Sequence, residues 1–411
     1  MPFVRHLRRM IVAAIAMVGA AGGLNLLIDP YGLFGTPPIG GLSAKKSEAY
    51  RHARLAKQQR AVRLQPATVL IGNSRVDVGL DPASPAWPEA MLPVANMGIP
   101  GEGVDGSLAS LRHALAETPA KTIFLGLDFT DFLLRPAEGS GSDGDRGGGT
   151  VAPESLARHL PAALISTRAL ADSLLTVIDQ RRPYATAMTD AGFNPMDDHT
   201  AIVRRAGHFA LAEKKNRENL AKLLERPPSV FRPDGSPGLP LQQLETLLAA
   251  ASARGVRVIA FVHPFHAEFL QSIRISGRAD AYHAWKGAVA ARFWRVARPG
   301  WALWDFGVYA PETVEPFPPA DDRRAKLRYW WEPGHYKAAL GERLLAQMLS
   351  GAPGPGVALE PGILRSHLAR QEALARRYAD ANPAIGAYLA ALCPPGRCQP
   401  PASPPRLSLK R

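Results

Sequence analysis

Val69-Leu70-Ile71-Gly72-Asn73-Ser74-Arg75 carries three branched apolar residues in a row and then stops on a glycine. An apolar run this short, with no polar alternation, reads as a strand buried on both faces, the pattern of a parallel sheet held between helical layers. Runs of the same kind recur at 94–98, 122–127 and 256–262. Between and after them, apolar residues return every three or four positions at 106–117, 241–254, 283–297 and 335–349, which predicts helices. The alternation predicts a doubly wound α/β fold. In such sheets ligands bind beyond the carboxyl ends of the strands, where Ser74, Gly98, Gly101 and Asp128 all emerge.

Two stretches break the alternation. Residues 138–150, EGSGSDGDRGGGT, are too polar to pack, and helical patterns follow at 153–181 and 200–225. They predict a helical insertion at about 138–230 that either caps the cleft or shields a sheet edge. The α/β domain is thus expected over 67–350, preceded by a link at 29–66 that contains a basic helix at 43–63. After it, 351–411 holds Pro-rich turns, a helix at 363–379 and a tail, 394–411, whose composition predicts disorder.

A serine on a tight turn after a buried strand can lift its hydroxyl out of the sheet, but it is a poor nucleophile without a base. Some 260 residues later comes Trp331-Glu332-Pro333-Gly334-His335-Tyr336, where a histidine follows a carboxylate by three positions. On one helical turn the two share a face, so Glu332 can orient the imidazole of His335 and His335 can take the serine proton. The plainer alternative is that Ser74 caps a helix and His335 merely begins one. Trp330, Trp331 and Tyr336 offer an apolar wall, a stacking face for a sugar, or core packing. His263 and His266 follow the strand at 256–262 with Glu268 close behind; substrate contact, loop packing and a metal site are all open to them. Asp305, at another strand end, is an alternative orienter.

Taken in order, the strand-Gly-x-Ser start, the segment Asn96-Met97-Gly98-Ile99-Pro100-Gly101 and the Glu-x-x-His end resemble the SGNH (GDSL-type) hydrolase superfamily over roughly residues 30–350. The likeness is to its membrane-anchored bacterial branch, which includes the O-acetyltransferase-like proteins of alginate acetylation. The resemblance implies a flavodoxin-like sheet, Ser74 as nucleophile, His335 as base and Glu332 where the superfamily has aspartate. It implies an oxyanion hole from the Ser74 N–H, Gly101 and a third-block residue. There the family's asparagine is replaced by Asp128, and an ionised carboxylate cannot donate a hydrogen bond. Asp128 either stays protonated, binds another substrate group, or marks a chain that has lost hydrolysis. Asn96, His263, His266 and Trp331 are the substrate-binding candidates. The implied activity is O-acyl, chiefly acetyl, transfer or ester hydrolysis on an envelope or exported polysaccharide, with a membrane-bound acyl-donor protein as a possible partner and no cofactor or metal. The alternative is a non-catalytic glycan-binding or assembly protein on the same fold.

Residues 10–28, MIVAAIAMVGAAGGLNLLI, carry no charge. As a helix they would span about 28 Å, the hydrocarbon thickness of a bilayer. Arg5, Arg8 and Arg9 precede this run and Asp29 follows it, so the positive-inside rule predicts residues 1–9 in the cytoplasm and a periplasmic domain held at the bacterial inner membrane. A cleaved signal peptide competes with an uncleaved anchor, the small residues 19–22 being the place for a peptidase. The net charge of +13 comes from scattered arginines with no nucleic-acid-binding signature, which points to a solvated basic surface. Cys393 and Cys398 could close a small disulfide in an oxidising compartment.

Overall fold

The computed structural model describes residues 2–136 and 156–398. The first half contains α1 (Pro2–Ile28), α2 (Ala53–Leu64), β1 (Thr68–Ile71), α3 (Ser74–Gly79), β2 (Val94–Asn96), α4 (Val104–Glu117), β3 (Thr122–Leu127) and α5 (Phe129–Phe132). After the polar linker come α6 (Leu156–Ile165), α7 (Thr167–Asp179), α8 (Asp197–Glu225), α9 (Leu239–Ala253), β4 (Arg257–Val262), α10 (Ala267–Ile275) and α11 (Ala279–Val296). The chain closes with β5 (Ala302–Asp305), β6 (Trp330–Glu332), β7 (His335–Tyr336), α12 (Ala338–Ser350), β8 (Val357–Ala358), α13 (Leu364–Ala381) and α14 (Pro383–Ala391).

Successive side chains of a strand point to opposite faces. In β1, Val69 and Ile71 enter one hydrophobic cluster and Leu70 the other; β3 divides Ile123, Leu125 and Leu127 from Phe124, and β4 divides Val258, Ala260 and Val262 from Ile259 and Phe261. A sheet apolar on both sides needs a layer on each. Helices α4, α9 and α11 supply one layer, and α3 and α12 the other. The six-stranded sheet runs β2-β1-β3-β4-β5-β8, with the first five strands parallel and β8 antiparallel to β5. The strand order reverses direction at β1, so the crevice between the loops after β1 and β3 is where a ligand site belongs.

Several elements differ from expectation. The basic helix expected at 43–63 begins only at Ala53, after a 3-10 turn at Ala49–His52, because Lys46 leaves the helical path to donate to the Ile28 carbonyl at 2.7 Å. The helix expected to start at His335 starts at Ala338, because Pro333 and Gly334 turn the chain into a hairpin in which β6 pairs antiparallel with β7. The expected helical stretch at 153–181 is broken into α6 and α7, bent by 73°. Helix α8 is kinked at Gly207, which takes φ 83°. The linker at 138–150 lies outside the described residues, as does the tail beyond 398. The tail's first residues are ordered in a turn closed by the Cys393–Cys398 disulfide.

Neither role expected for the insertion describes α6 and α7. They pack on α1 and on the segment after it, where Tyr31, Leu33, Ala49, Leu55 and Ala56 share a cluster with Ala163 and Ala169. Helix α1, of which Phe3–Ile28 is long and apolar enough to cross a membrane, is exposed along most of its length.

Candidate active site

The serine turn is built from Gly72 onward. A methyl group on Gly72 would sit 2.6 Å from Val76 Cγ2, so only glycine lets the strand turn this sharply into α3. Asn73 caps α3, its Oδ1 accepting from the Arg75 N–H at 3.0 Å. That leaves Ser74 at the first helical position with its hydroxyl free of capping duty and pointing elsewhere: Oγ is 2.8 Å from Nε2 of His335.

His335 arrives on the β6–β7 hairpin rather than on a helix. Its Nδ1–H donates to Glu332 Oε1, while Glu332 Oε2 accepts from the Gly334 N–H at 2.6 Å. With Nδ1 protonated, Nε2 is left as the acceptor facing Ser74. Glu332 is fully buried and the His335 side chain is 22% exposed, so the imidazole forms the boundary between core and solvent. Burial alone would raise the Glu332 carboxyl, but His335 beside it and the Gly334 N–H outweigh that and hold it down at about 2.

The hairpin and α12 both sit close against α3 because Gly79 of α3 and Gly341 of α12 carry no side chains. Tyr336 occupies the space a Cβ on Gly79 would need, and a methyl on Gly341 of α12 would overlap the Gly79 carbonyl. Two further contacts fix its back. His208 of α8 donates from Nδ1 to the Trp331 carbonyl at 3.2 Å, and the Pro333 carbonyl accepts from the His266 N–H at 3.2 Å.

Other residues expected at the site are elsewhere or otherwise engaged. Asn96 is buried; its amide donates to the Val76 and Leu80 carbonyls at 2.8 and 2.9 Å and its Oδ1 accepts from Gly98 N–H, so it shapes the loop and has nothing left for substrate. His263 is fully buried against Tyr336, at 3.4 Å, and burial drives its pKa well below the ordinary value. His266 caps α10 through Nδ1 and donates from Nε2 to the Glu315 carbonyl at 2.7 Å; burial lowers it to about 4. Both histidines are therefore internal supports, not substrate contacts, and among the described residues no group of three or more His, Cys, Asp or Glu is placed to hold a metal. Asp305 does not orient His335: it binds Lys286 at 2.7 Å and His367 at 2.8 Å on the far side of the sheet end. Trp331 stays partly exposed on the β6–β7 hairpin, with Lys337 Nζ 4.7 Å from its ring centroid and the His199 ring edge-on at 6.2 Å.

Asp128 is paired with Arg75, accepts from Asn73 Nδ2 at 2.8 Å and caps α5 through Thr130 N–H at 2.9 Å. Surrounded by donors, it acts as an acceptor and cannot serve as an oxyanion donor. Gly101, at φ 78°, has open space over it and lines a cavity of about 350 Å³ with Arg54, Asp105, Asp131 and Arg226. Asn73 reaches the wall of that cavity, donating to Asp131 at 3.0 Å. Burial raises Asp131 to about 6 against the pull of Arg75 and Asn73.

Two features were not singled out from sequence. Arg75, next to the serine, stacks 4.8 Å from the Phe265 ring centroid and fills the space behind the Glu332 hairpin. Beneath the loop, Lys57 of α2 pairs with Asp77 and donates to the Gly98 carbonyl at 2.5 Å; both charges are fully buried. In sequence Lys57 is one of several cations of the basic helix ARLAKQQRAVRL, so nothing there marked it as buried.

The described chain is thus an α/β protein with a mostly parallel sheet, an N-terminal apolar helix, and a serine, histidine and glutamate linked in series at the carboxyl end of the sheet. Comparison with family models, with curated proteins and with solved structures returns no match.

Proposed function

We propose that this protein is a membrane-anchored, SGNH-like serine acyltransferase or esterase that moves or removes an O-acyl group, chiefly acetyl, on an envelope or exported polysaccharide. One observation carries the reading: Ser74 Oγ, the His335 ring and the Glu332 carboxylate form a continuous relay in the order that nucleophilic acyl transfer requires. His335 Nε2 takes the Ser74 proton as Oγ attacks the acyl carbonyl. Glu332 stabilises the imidazolium that forms, and the same proton passes to the leaving hydroxyl as the ester bond breaks, leaving acyl-Ser74. Water or a sugar hydroxyl then attacks this intermediate, with His335 again accepting and returning the proton. The Ser74 backbone N–H and the loop carrying Gly101 are the donors we assign to the oxyanion. The partly exposed Trp331 offers a face for a sugar ring. The parallel strand order 2-1-3-4-5 and the serine placed after β1 fit the flavodoxin-like arrangement of the superfamily.

In this reading α1 crosses the inner membrane once with residues 1–9 in the cytoplasm, and the domain works in the periplasm, where a membrane-bound acyl donor and an exported polymer could both reach it. The ion-paired Asp128 favours a second reading, a glycan-binding or assembly protein that keeps the relay without an adequate oxyanion hole. An acetyl-ester assay on the full chain in detergent separates them. The enzyme reading expects turnover that Ser74→Ala abolishes; equal rates for both chains support the second.

A further inference from the structure

Helix α7 is built inside out. Its protein-facing side carries Ala169, Asp172, Ser173, Thr176 and Asp179, whereas Leu174, Leu175 and Ile178 point outward, Leu174 and Ile178 at 55% and 52% exposure. Ile165, at the elbow with α6, is 56% exposed. In water this orientation discards the burial of about 2 kcal/mol per large side chain that normally turns such a face inward. Outside α1, these four are the majority of the large apolar residues exposed among the described residues; the others are Ile39 and Leu92.

The position of the elbow explains the inversion. The last turns of α1 lie against it: a Cβ on Gly22 would be 3.6 Å from Ile165 Cγ2. Gly22 is six residues inside the end of the apolar run, about 9 Å along the helix. Asn25, the one amide in that run, is buried, donating to the Leu164 carbonyl at 2.7 Å and accepting from Ser173 Oγ at 2.8 Å. A polar side chain at hydrocarbon depth must find its partners within the protein, and here α6 and α7 provide both. Arg168 and Arg182 flank the apolar face of α7; each is paired with an aspartate of the inner face, Asp172 at 3.2 Å and Asp179 at 3.0 Å, yet stays 61% and 66% exposed, so its remaining N–H groups face the level of the lipid phosphates.

We propose that α6 and α7 form an interfacial clasp whose outward face, Ile165, Leu174, Leu175 and Ile178, is embedded in the lipid of the leaflet on the domain side. The proposal rests on α1 crossing the membrane. The clasp converts a single flexible anchor into a two-point attachment that holds the sheet, and with it the Ser74 crevice, at one orientation to the bilayer.

The disulfide leaves no free thiol, so single cysteines can be introduced at Leu174 or Ile178 and labelled with bimane. The full chain is reconstituted in phosphatidylcholine nanodiscs containing a minor fraction of phosphatidylglycerol and doxyl-labelled lipid. Val18→Cys reports on the anchor and Asp234→Cys on a solvent-exposed turn of the domain. Quenching by doxyl lipid at 174 and 178 comparable to that at 18, with protection from aqueous iodide and no lipid quenching at 234, is the expected result. Quenching at 18 alone, with iodide reaching 174 and 178, overturns the clasp and leaves the anchor standing. Protection of 174 and 178 from both quenchers, with crosslinking between copies, assigns the face to a second chain and overturns it equally. Absence of lipid quenching at 18 removes the anchor and the clasp with it.

Discussion

At the residue scale, three side chains have unequal duties in the proposed reaction: Ser74, His335 and Glu332. In the proposed mechanism Ser74→Ala and His335→Ala each remove a group that forms or breaks a bond, and either is expected to lower kcat by about a thousandfold or more, without additivity in the double variant. Glu332→Gln keeps the shape and loses the charge that orients the ring; its loss should be about tenfold to a hundredfold smaller than that of Ser74→Ala. Stability carries a second signature of the same carboxylate. Its pKa falls from 4.5 in the unfolded chain to about 2 in the fold, so the ionised form stabilises the fold above pH 4.5 and that contribution is lost as pH falls toward 2. The contribution is on the order of 3 kcal/mol. Denaturant midpoints measured from pH 6 to 2.5 should fall less steeply for Glu332→Gln than for the parent chain; parallel slopes would show that the carboxylate is not depressed. The same residue shows what sequence can and cannot convey. The three-residue spacing of Glu332 and His335 correctly places them within reach of each other, but for the wrong reason, since a hairpin turn at Pro333-Gly334 brings them together where a helical turn was expected.

At the element scale the site exists because Gly79 lets Tyr336 of the hairpin pack on α3 and Gly341 lets α12 reach the α3 backbone. Gly341→Ala must push α12 off the Gly79 carbonyl, which is expected to cost about 1–3 kcal/mol and to separate His335 from Ser74, so activity should fall further than stability. Urea midpoints and ester turnover on the same preparation check this. Helix α8 is tied to α10 by Asn216, which donates to buried Glu268 at 2.5 Å. Burial raises Glu268 to about 7, above the unfolded value of 4.5, so its protonated form stabilises the fold at low pH and the benefit is lost as pH rises through 7. Glu268→Gln should therefore stabilise the protein at pH 8 and change little at pH 4.5, by thermal melts at both. Strands β1, β3 and β4 were legible because unbroken branched apolar runs have no other economical use than burial on both faces. The seating of the hairpin was not, since it depends on small residues far apart in the chain. Asn96, His263 and His266 looked like ligand contacts because strand ends carry ligands; only packing reveals that their polar atoms point inward to backbone groups and to Tyr336.

At the scale of the whole molecule, helix α2, which follows the N-terminal apolar helix, shares one buried ion pair with the serine turn and the Gly98 loop. Lys57 of α2 joins Asp77 of α3 and the Gly98 carbonyl, and burial pulls both charges toward neutrality while their mutual attraction opposes it. Lys57→Met leaves Asp77 buried and unpaired, which is expected to cost about 3–5 kcal/mol by equilibrium denaturation; the double change Lys57→Met with Asp77→Asn should recover part of it. Orientation in the membrane is tested by a reporter active only in the periplasm, fused after Arg63, which should be active in intact cells. The most direct test of the account as a whole asks whether Ser74 becomes acylated. The full chain is mixed with an activated acetyl ester, quenched in acid within the first turnover and read by intact mass and peptide mapping. The account predicts one acetyl group on the peptide containing Ser74, absent from Ser74→Ala and strongly delayed in His335→Ala. An unmodified Ser74 peptide, or the same acetylation in all three chains, would contradict it.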